Sequence, residues 1–273
     1  MYKLRWYHDN IRPYEMNIFF GGIYMNVEKI FLDYTKSYVN DSSECKYKFD
    51  HSFRVRDIAM EIGKSVGMSD YDMRILNICG IFHDIGRFEQ WKRYKTFVDA
   101  KFVSHCEIGY DVLKDSDILD DLDLNDEEKQ IVLLVVLKHG LVVLDDDIPD
   151  YCKLFIKVIM DADKIDILNN TVSGDISLDI GDDEVSPLVY ENMFDHKILD
   201  MKKKSTKADR LCVWLAFVYG MHFDYSYKYL KDERIMSKLI EVYKNKTSNV
   251  VTKKQYEQIE NDINLYLGGK YVG

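Results

Sequence analysis

Four histidines and two aspartates of this 273-residue chain fall where side chains would point into an apolar interior. His51 lies four residues before Val55 and seven before Ile58, on one helical stripe. His83 lies four after Cys79 and seven after Leu76, and Asp84 follows it directly in "FHDIGRF". His105 shares a face with Ile108, Gly109 and Val112, His139 with Val132, Val135 and Val136, and Asp163 with Ile156, Ile159 and Met160. A single inward histidine is explained by a hydrogen bond to a carbonyl. A His-Asp pair is also weak by itself, since His8-Asp9 is another and nothing around it suggests a site. An aspartate on an apolar stripe is harder to explain, because Asp is almost never fully buried without a partner. Inward histidines together with Asp84 and Asp163 need a common positive partner, which metal ions provide. Mixed imidazole and carboxylate donors suit Fe, Mn, Ni, Co or Zn and disfavour Ca.

Helices must position these groups. Periodicity predicts helices over Val27–Val39, Asp50–Val66, Asp70–Asp84, Ser104–Lys114, Asn125–His139 and Asp150–Asn169. Further helices are expected near Leu188–Met201, Lys207–His222, Phe223–Asn245 and Lys253–Leu267. Ser69 and Asn125 are good N-caps, and Ser104 with Glu107 three later has the form of a capping box. A short strand is expected at Ile176–Ile180, inside the loop "NTVSGDISLDIGDDEVSP". "RFEQWKRYKTFVDAKF" reads as an aromatic and basic loop, open between a lid over a phosphorylated or aromatic substrate and a loop that packs its Trp and Tyr on the helices, the second favoured. The acidic runs "DDLDLNDEE" and "DDDIPD" read as solvated surface.

Composition sets the bounds. Hydrophobic content of 47% supports a packed core, and 3 Pro with 14 Gly argue against a turn-rich all-β chain. A net charge of −10 disfavours general nucleic-acid binding and anionic membrane surfaces, while leaving room for a small phosphorylated ligand at a local positive site. The five cysteines are odd in number and form no C-x-x-C pair, so buried thiols in a reducing cytoplasm are expected. No apolar run approaches the ~20 residues of a membrane span. Residues 1–24 read as an extension, because the helical pattern starts near Met25; residues 25–245 read as the catalytic domain and 246–273 as a C-terminal helix packed on it.

The order His51, His83-Asp84, His105, His139, Asp163 resembles the HD superfamily of metal-dependent phosphohydrolases. The local text agrees in "HSFRVRDIA", "FHDIGRFE", "VSHCEIGYDVL", "VLKHG" and "DADKIDIL", and the resemblance runs from about Val27 to about Asn245. It implies an all-α helical bundle with ligands from several helices converging on a central site. Ala-Asp-Lys-hydrophobic-Asp is the family text, which favours Asp163 over Asp161 as the last ligand. His105 and His139 add to the minimal set and resemble the subgroup that binds two metals. In that subgroup the doublet aspartate, here Asp84, bridges the ions. His51, His83, Asp84 and Asp163 would then hold one divalent transition metal, and Asp84, His105 and His139 the other.

Such a pair of ions clamps the attacking and leaving oxygens of an in-line displacement and makes hydroxide from water near neutral pH. The resemblance therefore implies hydrolysis of a small phosphoester, such as a nucleotide. Developing phosphoryl charge needs further cations. Arg87, three after Asp84, is the first candidate and Lys101, four before His105, the second. A lysine often stands at the position of Arg87 in the cyclic-dinucleotide phosphodiesterases of the superfamily. The Gly-Tyr-Pro segment of those enzymes is missing after the doublet here. Arg54, one turn from His51, is open between the site and a structural carboxylate, and Asp166 reads as structural. Two other readings share the ligand set: a two-iron, O₂-dependent oxygenase, and a nucleotide-binding sensor without turnover. The sequence leaves the oligomeric state open.

Overall fold

The computed structural model describes residues 21–99, 103–199 and 204–270. Among these the chain is helical throughout, with no strand: α1 (Gly21–Asp41), α2 (Ser43–Ser65), α3 (Asp70–Phe82), α4 (Gly86–Tyr94), α5 (His105–Lys114), α6 (Asp126–Lys138), α7 (Asp150–Ser173), α8 (Pro187–Phe194), α9 (Asp209–Leu215), α10 (Asp224–Asp232), α11 (Ile235–Lys244) and α12 (Val250–Gly269). No described helix is long and apolar enough to cross a membrane.

α2 is the axis of the bundle. It lies between α3 and α7, and its inward stripe of Val55, Ala59 and Ile62 is fully buried against both. Its N-terminus is earlier than periodicity suggests: Ser42 caps the helix by accepting from the Cys45 backbone N–H, which adds about two turns ahead of His51. α3 starts on Ser69 in a reciprocal capping box with Asp72, and α6 starts on Asn125 in another with Glu128. Ser104 caps α5 through the Cys106 N–H.

Four expectations change. Ile176–Ile180 forms no strand: the Ile176 N–H donates to the Asn170 carbonyl and the Leu178 N–H to the Tyr243 hydroxyl, both at 2.9 Å. The segment after Asp84 is not all loop, because Gly86–Tyr94 forms α4, closed by Lys95 in the left-handed region (φ 52°). The helix expected over Phe223–Asn245 is broken, since Arg234 adopts φ 51° between α10 and α11. The acidic run before α6 is not wholly solvated: Glu128 is buried, ion-paired with Arg74, and Leu122 and Leu124 enter the core. Phe31, Phe82 and Phe88 fill the layer between α1, α3 and α4, with edge-on ring contacts at 5.5 and 5.8 Å. α12 packs on α11, α8 and α10. Residues 1–20, including His8-Asp9, and Lys101 lie outside the described residues.

Candidate metal centre

The candidate ligands come from five places in the fold, three of them helix ends. His51 is inside α2 and Asp163 inside α7. His83 is the C-cap of α3, His105 the first residue of α5, and His139 the C-cap of α6. The tight turn at His83-Asp84-Ile85 between α3 and α4 carries Asp84 into the space between these ends. His51, His83, Asp84, His105 and His139 are all buried, and Asp163 is partly exposed.

The close approach of α4 to α5 depends on two glycines. A Cβ at Gly86 would fall on the His105 carbonyl oxygen and lie 2.5 Å from the Gly109 nitrogen. One at Gly109 would lie 2.9 Å from Val136 Cγ1. His105 reaches the centre because both positions lack a side chain.

Asp84 sits at the middle, and its two oxygens face opposite ways. Oδ2 is 3.4 Å from His51 Nε2 and 3.8 Å from His83 Nε2. Oδ1 is 3.3 Å from His105 Nε2 and 3.8 Å from His139 Nε2. Within each set the imidazoles approach each other, His51 to His83 at 3.4 Å and His105 to His139 at 3.3 Å between Nε2 atoms. Asp163 Oδ1 joins the first set, 3.1 Å from His51 Nε2.

The far nitrogen of every ring is held by an acceptor. His51 Nδ1 meets Asp166 Oδ2 at 2.6 Å, and His105 Nδ1 meets Asp99 Oδ2 at 2.7 Å. His83 Nδ1 meets the Gly80 carbonyl at 2.8 Å, and His139 Nδ1 meets the Val136 carbonyl at 3.0 Å. Carbonyl and carboxylate oxygens only accept, so each Nδ1 carries a hydrogen and each Nε2, the nitrogen whose lone pair a cation would take, faces Asp84. Arg54 grips Asp166 through two nitrogens at 2.7 and 3.1 Å and fixes the carboxylate that orients His51. This donor set fits a divalent cation: neutral imidazoles with directed lone pairs, carboxylates between them, and outer hydrogen bonds that lock each ring.

The electrostatics say the same. Burial and Lys48 push the His51 pKa down, but Asp163, Asp166 and Asp84 outweigh them and leave it at about 9. His139, although buried, is raised by Cys106 and Asp84. His83 is depressed to about 3, chiefly by burial. Burial opposes ionisation of Asp84, yet Lys48 and Arg87 hold it well below the usual carboxylate range. Desolvation likewise opposes ionisation of Asp163, and His51 holds it below the usual carboxylate range. A pocket that draws protons onto imidazoles is short of positive charge.

Asp161 has a different environment from Asp163. It is fully buried and accepts from the backbone N–H of His222 and Phe223, from the Ser226 hydroxyl at 2.7 Å and from His222 Nδ1 at 2.8 Å. It anchors the start of α10 to α7. Arg87 lies beside Asp84, its Nε 3.4 Å from Oδ1. The rest of its guanidinium donates to Gln90 Oε1, the Phe97 carbonyl and Asp99 Oδ1.

Three groups at the cluster are missing from the ligand and cation candidates read from the sequence. Lys48 Nζ is 2.6 Å from Asp84 Oδ2, and its only signal was a position one turn before His51. Asp99 sits in a loop with no periodicity. Cys106 Sγ is 3.3 Å from His105 Nε2, and its signal was adjacency to that histidine.

His51, His83 and Asp84 form one group able to hold a metal, and His105, Cys106 and His139 another. No curated protein matches the chain. Residues 49–168 match the family model for the HD domain, a span that begins ahead of His51 on α2 and ends beyond Asp163 on α7. Most HD domains are divalent-metal-dependent hydrolases, and the chain carries an HD domain over those residues.

Proposed function

We propose that the protein is a metal-dependent phosphohydrolase that cleaves a small phosphoester at a two-cation centre built on Asp84. The observation that carries this reading is the division of Asp84 itself: one carboxylate oxygen faces His51 and His83, the other faces His105 and His139. His51, His83, Asp84 and Asp163 would hold one divalent cation, and Asp84, His105 and His139 the other. Bound there, the cations supply Lewis acidity toward water and the phosphoryl oxygens.

The chain's own groups do the rest. Asp166, backed by Arg54, and Asp99, backed by Arg87 and Gln90, keep two of the imidazoles aimed inward. Lys48 and Arg87 flank Asp84 and lie under the Phe97 ring, each 5.9 Å from its centroid. A cation held on Asp84 would compete with Lys48 for Oδ2 and would leave the ammonium free for substrate oxygens. Lys48 is therefore the first group assigned to the phosphoryl oxygens. Arg87 stands next to it, with part of its fork already spent on positioning Asp99. Two cationic side chains beside Asp84 favour a phosphorylated substrate over a neutral one.

The test is metal analysis of anaerobically purified protein, followed by parallel phosphate-release and O₂-consumption assays over a panel of phosphoesters and phosphorus-free substrates. Phosphate release that needs the metal is expected. Lys48→Met should keep metal content and lower kcat/KM by on the order of 10²-fold. O₂ consumption on a phosphorus-free substrate, with no ester hydrolysed, would replace this reading with the oxygenase one.

A further inference from the structure

We infer that Cys106 is a metal ligand, and that the second cation position is a thiolate site that selects a thiophilic divalent ion of the zinc or cobalt type. This rests on the two-cation reading of Asp84.

Cys106 is the second residue of α5 and is 5% exposed. Its Sγ is 3.3 Å from His105 Nε2 and 4.0 Å from His139 Nε2. Gly140 makes room for it, since a Cβ there would lie 2.9 Å from the sulfur. A tetrahedral ion with metal–nitrogen bonds of ~2.0–2.1 Å and a metal–sulfur bond of ~2.3 Å needs nitrogen–nitrogen edges of ~3.3 Å and sulfur–nitrogen edges of ~3.6 Å. The His105–His139 edge is 3.3 Å, and the two sulfur–nitrogen distances bracket the second value at 3.3 and 4.0 Å. Asp84 Oδ1 lies beside the same histidine pair, 3.3 Å from His105 Nε2 and 3.8 Å from His139 Nε2. The first position has no sulfur: its donors are His51, His83, Asp84 and Asp163.

The two positions thus differ in kind. Imidazole and carboxylate bind manganese as well as zinc, zinc the more tightly, and a thiolate donor widens that gap in favour of zinc or cobalt. Ligation exchanges the thiol proton for the metal, so the S–H bond is lost, a sulfur–metal bond forms, and the proton leaves to solvent.

Cobalt(II) alone reads this directly, because thiolate ligation adds a sulfur-to-cobalt charge-transfer band in the near ultraviolet that imidazole and carboxylate ligation lack. Full-length metal-free protein is titrated with Co²⁺, alongside Cys106→Ser and His105→Ala, each checked for folding by circular dichroism. Two bound cobalt ions with the band, lost in Cys106→Ser, are expected. Two bound ions without the band overturn the thiolate assignment and leave the two-cation reading standing. One bound ion with a band that vanishes in both variants keeps the thiolate and removes the two-cation reading. One ion without the band removes both. Zinc against manganese competition gives a second readout should Cys106→Ser fold poorly: Cys106→Ala should weaken zinc by on the order of 10- to 100-fold and manganese far less. Equal losses for the two metals overturn the assignment.

Discussion

Asp161 and Asp163 stand two residues apart on α7 and do different jobs. Asp163 ends 3.1 Å from His51, whereas Asp161 accepts from two backbone amides, a hydroxyl and an imidazole at the start of α10. Asp161→Asn removes acceptor capacity from buried donors, and each donor left unmatched costs about 1–3 kcal/mol. Its melting temperature should fall clearly even in metal-free protein. Asp163→Asn should cost the metal-free protein less, through a weaker hold on the His51 proton alone, and should lower metal content as well. Equal metal-free melting curves for the two would refute this division. Asp166 belongs to the same scale, one bond further out. Asp166→Asn keeps its size but weakens the hold on His51, so metal affinity should drop by on the order of 10- to 100-fold. An unchanged dissociation constant would show that Arg54 and Asp166 serve packing alone.

At the scale of elements, the centre depends on how closely α4 and α5 approach. Gly86 and Gly67 offer a contrast. Gly67 adopts φ 72° with open space around it, so Gly67→Ala pays only a local backbone cost of about 1–2 kcal/mol. Gly86→Ala drives a methyl group into the α5 backbone at His105 and Gly109, which demands that α5 move. Gly86→Ala should lose both stability and metal, Gly67→Ala a little stability alone; thermal melts with metal analysis separate them. Elements of this kind were legible to different degrees. The ligand-bearing faces could be read because an apolar stripe marks a buried face whatever covers it. The start of α2 could not be dated earlier by stripe alone, because Cys45 and Phe49 lie in a stretch rich in Lys and Asp; the Ser42 cap decides it. The α10–α11 break falls at Glu233-Arg234, where no Gly or Pro marks it, so only tertiary packing sets it. Asp99 was illegible for a third reason: its role comes from a loop that meets His105 in space and not from any periodic pattern.

For the whole molecule, the centre makes stability depend on pH, with a sign that changes on either side of neutrality. In the metal-free protein His51 titrates at about 9 against 6.5 in an unfolded chain. The folded state then keeps a proton that the unfolded state releases. That stabilisation is complete below pH 6.5 and is lost as pH rises through about 9; a difference of that size corresponds to about 3 kcal/mol. His83 runs the other way. Its pKa of about 3 means that the unfolded chain takes up a proton first, so stability is lost as pH falls from 6.5 toward 3. Metal-free protein should therefore melt highest near pH 6.5 and lower on both sides. A divalent cation replaces the proton on His51, so its binding tightens as pH rises toward 9 and its stabilising effect grows with it. Melting curves from pH 6.5 to 9, with chelator and with Zn²⁺, should diverge: the chelated protein loses melting temperature across that window and the loaded protein holds it. Parallel curves would mean that the proton on His51 and the cation do not compete for one lone pair, and would remove His51 from the ligand set.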